Sequence, residues 1–301
     1  MKLIKPDAHV VVENNPFRKV ERIGRTCYKS EDKITDTSCY AFVDGLIARK
    51  HFAMLEHANF HFLVESQLDI AFSLVNIPAI VVSYIGNHQW IVTVTLSHVY
   101  NPLYSEKNEL LRYMRRIIEH KWRLPDDSIR YHDPLSDVTQ IQLVDVDALG
   151  EDIRAKHELV SIHFLCDRGV SHELVRHRCS VAQESTRYCN YSKDKFGAEI
   201  IYIEPSTYNM WPDDIRDKFA DYLQYVEGLY MDMINSGLQP QQARAVLPNA
   251  LKTEVILSMT IDRWEHFFNL RSKGTTGQPH PDMKQVADIA YESFLSYLHV
   301  S

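Results

Sequence analysis

The side chains best suited to chemistry in this sequence are concentrated in residues 175–192. This segment contains three arginines and a histidine among hydroxyl side chains, in the order Arg176, His177, Arg178, Ser185, Thr186 and Arg187. Guanidinium groups buried without anionic partners carry a large desolvation cost. Arginine forks also match the geometry of phosphate oxygens, so the segment predicts a site for a phosphorylated substrate or cofactor. A solvated surface loop is the alternative interpretation.

The segment resembles the signature of the flavin-dependent thymidylate synthases, in which Arg-His-Arg is followed by a serine and then by Arg-Tyr. The family usually has seven residues before the serine, whereas six residues separate Arg178 from Ser185 here. The run from Gln183 to Tyr188 still fits the family pattern. We therefore place the missing residue in the turn around residues 179–182, shortly before Ser185.

A second block upstream carries the same resemblance. His51 and Glu56 stand where the family has a His-x-x-x-x-Glu-His block before a strand of alternating aromatic residues. Ala53 and Met54 replace the family's small hydroxyl residue and proline, so we expect a turn of different shape. Taken alone, a histidine before a strand is often structural, but its position upstream of the Arg-His-Arg segment favours a functional role.

Two blocks nearer the C-terminus follow in the family's order. Residues 242–248 resemble its Ala-Arg-x-x-Leu-Pro turn and contain Arg244. Residues 262–271 resemble its Phe-Leu-x-Leu-Arg helix, which ends here at Arg271. The spacing between these two blocks also fits the family.

The resemblance implies an enzyme that reductively methylates dUMP to dTMP, with FAD as cofactor and with NADPH and methylenetetrahydrofolate as co-substrates. The residues that would bind dUMP are Arg176, Ser185, Arg187, Arg244 and Arg271, and those that would line the flavin are His51, Glu56, His177, Arg178 and His266. Arg271 and Ser185 are the implied catalytic residues. Arg271 would stabilise the negative charge that develops on the uracil ring. The family further implies a homotetramer with sites at subunit interfaces.

Glu173 departs from the family, which commonly has glutamine at this position, three residues before Arg176. A carboxylate beside a phosphate would repel it. We therefore expect Glu173 either to point away from the site or to pair with an arginine.

Two other functions remain open at this level. The shorter signature and the altered turn at Ala53 and Met54 are compatible with a flavin-dependent hydroxymethylase or methylase that acts on a related pyrimidine nucleotide. A nucleotide- or flavin-binding protein without turnover is the other alternative. A flavin absorption spectrum of the purified protein would support either enzyme. A colourless protein that cannot be reconstituted with FAD would support the alternative without turnover.

Composition limits the other classes of function. A net charge of −7 argues against a general nucleic-acid or membrane-surface binder, because affinity for phosphate backbones comes from excess lysine and arginine. Neither a signal peptide nor a long apolar run is recognisable, and the five cysteines suit free thiols, so we expect a cytoplasmic protein. The fifteen histidines lack a His-Glu-x-x-His motif, so no metal site is predicted.

The predicted fold class is α+β, with a central mixed sheet flanked by helices like that of the family. We expect a single domain over residues 1–301, interrupted by an inserted α/β segment over residues 66–159 that has no catalytic constellation of its own. Ser171 is predicted to cap a helix over residues 171–177. A long amphipathic helix over residues 213–236 is predicted to end at Gly237.

Overall fold

The computed structural model describes residues 1–67, 69, 73–74, 76–123, 138–193 and 199–300. The strands are β1 (Lys2–Ile4), β2 (Asp7–Val10), β3 (Asn59–Ser66), β4 (Val81–Gly86), β5 (Gln89–Thr95), β6 (Val138–Val144), β7 (Leu159–Asp167), β8 (Ser180–Gln183), β9 (Ile201–Ile203) and β10 (Lys252–Thr260). The α-helices are α1 (Pro16–Tyr28), α2 (Ser38–Ala48), α3 (Leu96–Tyr100), α4 (Pro102–Ser105), α5 (Glu109–Trp122), α6 (Glu151–His157), α7 (Arg168–Leu174), α8 (Asp213–Asn235), α9 (Pro240–Ala243), α10 (Ile261–Arg271) and α11 (Pro281–Val300). Segregated helices and antiparallel sheets confirm the predicted α+β class.

The central sheet has the strand order β2-β7-β10-β8. All three of its pairings are antiparallel, so the prediction of a mixed sheet is wrong for these strands. The long β7 and β10 pair over nine residues, from Leu159 opposite Thr260 to Asp167 opposite Lys252. A parallel pair does occur, but separately, between β1 and β9.

The two faces of the central sheet differ in polarity because side chains alternate along each strand. One face packs under α7, α10 and α11 in an apolar core that includes Phe164, Leu257 and Trp264. The other face lies under α1 and the 3₁₀ turn Phe52–His57, and it carries polar side chains such as Ser258 and Glu254. The polar face and the end of β8 position the candidate site.

A second sheet has the order β4-β5-β3-β6 and is also antiparallel. Three of these strands come from residues 66–159, and β3, which precedes them, pairs with both β5 and β6. The described part of the segment combines these antiparallel strands with helices α3 to α6. Its core joins α1, α2 and α5 through residues such as Phe17, Phe62 and Met114. Residues 124–137 of this segment lie outside the described residues.

The helix before the Arg-His-Arg group begins earlier than predicted. Asp167 caps α7, since its carboxylate accepts a hydrogen bond from the Val170 N–H at 2.8 Å, whereas the Ser171 hydroxyl donates to the Arg168 carbonyl within the helix. The helix ends at Leu174, so Arg176 lies in the following turn. The predicted end of α8 is confirmed, with Gly237 at a φ of 91° after the last turn.

Candidate active site

The Arg-His-Arg segment connects β7, inside the central sheet, with β8, at the edge of the same sheet. The chain leaves β7, forms α7, passes through a turn over residues 175–179 and returns as β8. Strand β8 pairs continuously with β10, from Ser180 opposite Ser258 to Gln183 opposite Val255. This ladder has no bulge, so residues 180–182 form a regular strand and only residue 179 of the expected turn over 179–182 lies outside it.

Arg271, at the C-terminal end of α10, meets the Arg-His-Arg turn directly. Its Nη1 donates to Glu173 Oε2 at 2.7 Å, and its Nε donates to His177 Nε2 at 3.2 Å. Glu173 therefore pairs with an arginine, which is one of the two arrangements expected from the sequence. The two contacts use two of the five guanidinium N–H donors, so the others remain available to a ligand.

His177 acts in this cluster as a neutral acceptor. Burial, and then the charges of Arg271 and His266, lower the pKa of His177 to about 4. Its ring packs edge-on against Phe267, with centroids 4.8 Å apart. Since Nε2 accepts the Arg271 hydrogen bond, the proton of the neutral ring is on Nδ1. His177 thus helps to orient Arg271 without adding charge.

Ser185 begins the turn after β8. Its backbone N–H donates to the Cys27 carbonyl at 3.2 Å, and its hydroxyl accepts from the Arg187 N–H at 3.4 Å. Arg244 reaches the same turn, because its Nη1 donates to Thr186 Oγ1 at 3.3 Å. In the described part of the chain, no histidine or carboxylate hydrogen-bonds to the Ser185 hydroxyl. This turn can donate to an anion but contains no general base for a serine nucleophile.

Three of the predicted ligand-binding cations are exposed. Neither Arg176 nor Arg178 has an ion pair or a side-chain hydrogen bond among the residues that the structure describes, and Arg187 lies over the Tyr188 ring at 5.5 Å. His266 is also exposed on α10. This set of cationic and imidazole donors suits an anionic ligand.

The upstream block contacts β8 through its last residues. Ser180 donates to Glu56 Oε2 at 3.4 Å, and burial raises the pKa of Glu56. His57 Nδ1 lies 2.7 Å from the Ser258 hydroxyl on the neighbouring strand. His51 is exposed at the start of the block, with its backbone N–H bonded to Leu46. The block is therefore anchored against the polar face of the central sheet.

A buried charge cluster lies behind the Ser185 turn, and sequence reasoning missed it. Lys252 Nζ bridges Glu184 Oε2 at 2.8 Å and Glu254 Oε1 at 2.7 Å. Glu254 also contacts Lys29, and its second oxygen contacts His163 at 3.0 Å. These contacts hold the pKa of Glu254 well below its usual range despite burial. The available signal was the pair of charged residues Lys252 and Glu254, whose alternate positions place both on one face of β10.

Comparison with known proteins shows which family part of the chain resembles. Residues 148–296 match the model of Thy1, described as thymidylate synthase complementing protein. This segment of the chain is therefore similar to the Thy1 family. The Thy1 segment includes the Arg-His-Arg turn, Arg244 and Arg271, but not His51 or Glu56.

Several curated proteins similar to this chain carry the name flavin-dependent thymidylate synthase. Those of Pyrococcus furiosus and Geobacter sulfurreducens are each 34% identical, over 107 and 105 residues, which is 35% of this chain and 43% of each relative. The match therefore spans less than half the length of these relatives. The relative from Corynebacterium aurimucosum is 26% identical over 208 residues, covering 65% of this chain and 82% of its own.

A solved structure of a UMP/dUMP methylase, PolB from Streptomyces cacaoi with 5-Br dUMP, aligns with 98% of this chain and 93% of its own. Its TM-score is 0.42 and its sequence identity is 12%.

None of the helices in the described ranges has the length and hydropathy needed to cross a bilayer. Within the same ranges, no group of three or more histidine, cysteine or carboxylate side chains could hold a metal ion.

Proposed function

We propose that this protein is a flavin-dependent thymidylate synthase, which reductively methylates dUMP to dTMP with methylenetetrahydrofolate and NADPH. The observation that carries the proposal is the interlocked group of Arg271, His177 and Glu173. It joins two separate blocks of the family signature inside the segment that matches Thy1.

The proposed dUMP phosphate site is the turn after β8. Ser185, Arg187 and Arg244 would bind the phosphate there, together with Arg176 from the preceding turn. A dianionic phosphate would replace solvent around several guanidinium groups and gain charge-assisted hydrogen bonds. The uracil ring would then lie toward Arg271.

Arg271 is the proposed electrostatic catalyst. Methylation at C5 requires electron density on the uracil ring, and a fixed guanidinium stabilises that negative charge as it develops. Glu173 and His177 hold the guanidinium before the ligand arrives, so little reorganisation is needed. Ser185 is proposed to act as a hydrogen-bond donor rather than as a nucleophile.

The proposed FAD site uses Arg178, His177, His266, His51 and Glu56. The cofactor's pyrophosphate is anionic, and the exposed Arg178 guanidinium, which has no ion pair in the described residues, fits it chemically. Bound FAD would supply hydride transfer, with NADPH as its reductant. We also propose that a homotetramer completes this site at a subunit interface, because Arg178, His266 and His51 are all exposed in the single chain.

A cytoplasmic location is part of the same proposal. All five cysteines are unpaired, as expected in a reducing compartment. Four of them are buried, and burial raises the pKa of the Cys27 thiol to about 12. Such thiols are poor nucleophiles at neutral pH.

Product analysis tests the proposed activity. The purified chain, reconstituted with FAD, is incubated with methylenetetrahydrofolate, NADPH and each of dUMP, UMP and dCMP. We expect only dUMP to gain a methyl group, detected by mass spectrometry. A hydroxymethyl product, or turnover of dCMP in place of dUMP, would contradict the proposal. An absence of flavin absorption after reconstitution would instead indicate a nucleotide-binding protein without turnover.

A further inference from the structure

The buried charge cluster, comprising Lys29, Glu184, Lys252 and Glu254, reaches the turn that carries Ser185 and Arg187. Glu184 directly precedes Ser185, and its side chain is only 2% exposed. Its Oε2 accepts from Lys252 Nζ at 2.8 Å, and its Oε1 accepts from the Cys189 thiol at 3.5 Å. Glu184 is thus held at both carboxylate oxygens, by Lys252 of β10 and by Cys189 at the other end of the turn.

Backbone hydrogen bonds also hold the turn around Glu184. The Glu184 N–H, directly after β8, donates to the Glu254 carbonyl at 2.8 Å. The Ser185 N–H donates to the Cys27 carbonyl at 3.2 Å. Beyond these contacts the turn bends back on itself through bonds to the Ser185 carbonyl. The Glu184 side chain adds a buried ion pair with Lys252 to these backbone bonds.

We infer that Lys252 is a positioning residue, which sets the place of Ser185 and Arg187 by anchoring Glu184. The inference rests on the proposed function, in which these two residues bind the nucleotide phosphate. Phosphate binding then depends on a lysine whose own contacts are to Glu184 and Glu254.

Removing the Lys252 ammonium would leave Glu184 buried without a cation. Such a carboxylate must take up a proton or move into solvent, because an unpaired buried charge is strongly unfavourable. Movement of Glu184 would displace Ser185 and release the Cys189 thiol, which is fully buried in the native turn. Glu254 would keep Lys29 and His163 as partners.

The test uses the full chain loaded with FAD and two independent measurements. Labelling of Cys189 by a maleimide, followed by peptide mass spectrometry, reports the position of the turn. Calorimetric titration with dUMP reports phosphate binding. In Lys252→Met we expect faster Cys189 labelling and dUMP affinity lower by about tenfold or more, whereas Lys252→Arg should restore both because arginine can bridge two carboxylates.

Lys29→Met is the matched control, because it removes a cation that contacts Glu254 while the ion pair between Lys252 and Glu184 is kept. It should leave Cys189 labelling and dUMP affinity at the wild-type level. A folded Lys252→Met protein with wild-type labelling and affinity would overturn the inference. If Lys252→Met does not fold, the double variant Lys252→Met with Glu184→Gln removes the ion pair without leaving a buried charge. Wild-type behaviour of that double variant would overturn the inference equally.

The two measurements also separate this inference from the proposed function. Wild-type protein that does not bind dUMP would contradict the function, whatever the labelling shows. Faster labelling of Cys189 in Lys252→Met would then still support the anchoring role of Lys252. Normal labelling with weakened dUMP binding would overturn the anchoring role while leaving the function intact.

Discussion

The Ser185 hydroxyl accepts a hydrogen bond from the Arg187 N–H and contacts no general base among the described residues. We therefore expect Ser185→Ala to keep measurable turnover and to lose about 0.5–3 kcal/mol of dUMP binding, the range for hydrogen bonds to neutral and charged groups. Single-turnover rates and dUMP titrations would measure the two effects. Abolished turnover with unchanged affinity would restore a nucleophilic role for this serine.

Replacing Arg271 should affect turnover more than binding, the opposite of the result expected for Ser185→Ala. Its guanidinium charge is needed most when the uracil becomes anionic, so Arg271→Ala should reduce the single-turnover rate more than the dUMP affinity. Arg271→Lys is the informative companion, since it keeps the charge but loses the fork that contacts both Glu173 and His177. A loss confined to affinity, with a normal chemical step, would assign Arg271 to substrate binding alone.

Glu173 offers a third test at the scale of single residues. Glu173→Gln can still accept from Arg271 Nη1, but it removes a negative charge close to the proposed nucleotide site. We expect dUMP affinity to increase, by up to about tenfold, which corresponds to about 1.4 kcal/mol. Calorimetric titration measures the change, and Glu173→Ala serves as the control that also loses the hydrogen bond. A weaker affinity in Glu173→Gln would mean that the carboxylate itself contacts the ligand.

Among the elements, α6 and the second sheet are joined by a buried chain of polar side chains. Thr93 Oγ1 on β5 lies 2.8 Å from His61 Nδ1 on β3 and 2.7 Å from His157 Nδ1 on α6. His157 Nε2 contacts Ser83 on β4 at 2.8 Å. Burial is the main cause that lowers the pKa of both histidines to about 4. Both rings are therefore neutral in the folded protein near neutral pH.

This chain of side chains predicts how stability depends on pH. Since the folded pKa values lie below the usual value of about 6.5, the unfolded protein binds more protons between about pH 6.5 and pH 4. The free energy of unfolding should therefore fall as the pH decreases through this window. Urea titrations at several pH values measure the slope, and His157→Gln should reduce it. The same slope in wild type and variant would remove His157 from the explanation.

The elements were predicted well from periodicity where one apolar face decides the structure. The long helix α8 and its end at Gly237 follow from spacing and a C-terminal glycine, and both agree with the structure. The start of α7 was predicted wrongly. Asp167 and Ser171 are both good helix caps, and the end of β7 at Asp167 decides between them. The antiparallel order of the central sheet depends on contacts between distant strands, which local patterns do not encode.

The candidate site was predictable only in part for the same reason. Motif spacing identified Arg271 and His177, but their hydrogen bond joins residues that are far apart in the sequence. The pairing of Glu173 with Arg271 was one of two expected outcomes, and the contact selects between them. Lys252 carried no motif at all, and its role emerges only when β10 is placed beside the Ser185 turn.

For the whole molecule, the net charge of −7 contrasts with the local set of arginines at the proposed site. Several guanidinium groups meeting a dianionic phosphate predict that dUMP affinity falls as ionic strength rises, because salt screens exposed charges. Titrations between low and physiological salt would measure this dependence. Arg187→Gln should flatten it, whereas Lys218→Gln, on the exposed surface of α8, should not. Salt-independent binding would point to an uncharged ligand.

Because β3 has both of its neighbours in the segment 66–159, that segment could not be excised and rejoined to leave an otherwise intact protein. Deleting it would strip β3 of β5 and β6 and bring Phe60, Phe62 and Val64, all buried, into contact with water. A strand with two bare edges and an apolar face is prone to aggregate. A minimal version of this protein would therefore have to redesign β3 as well.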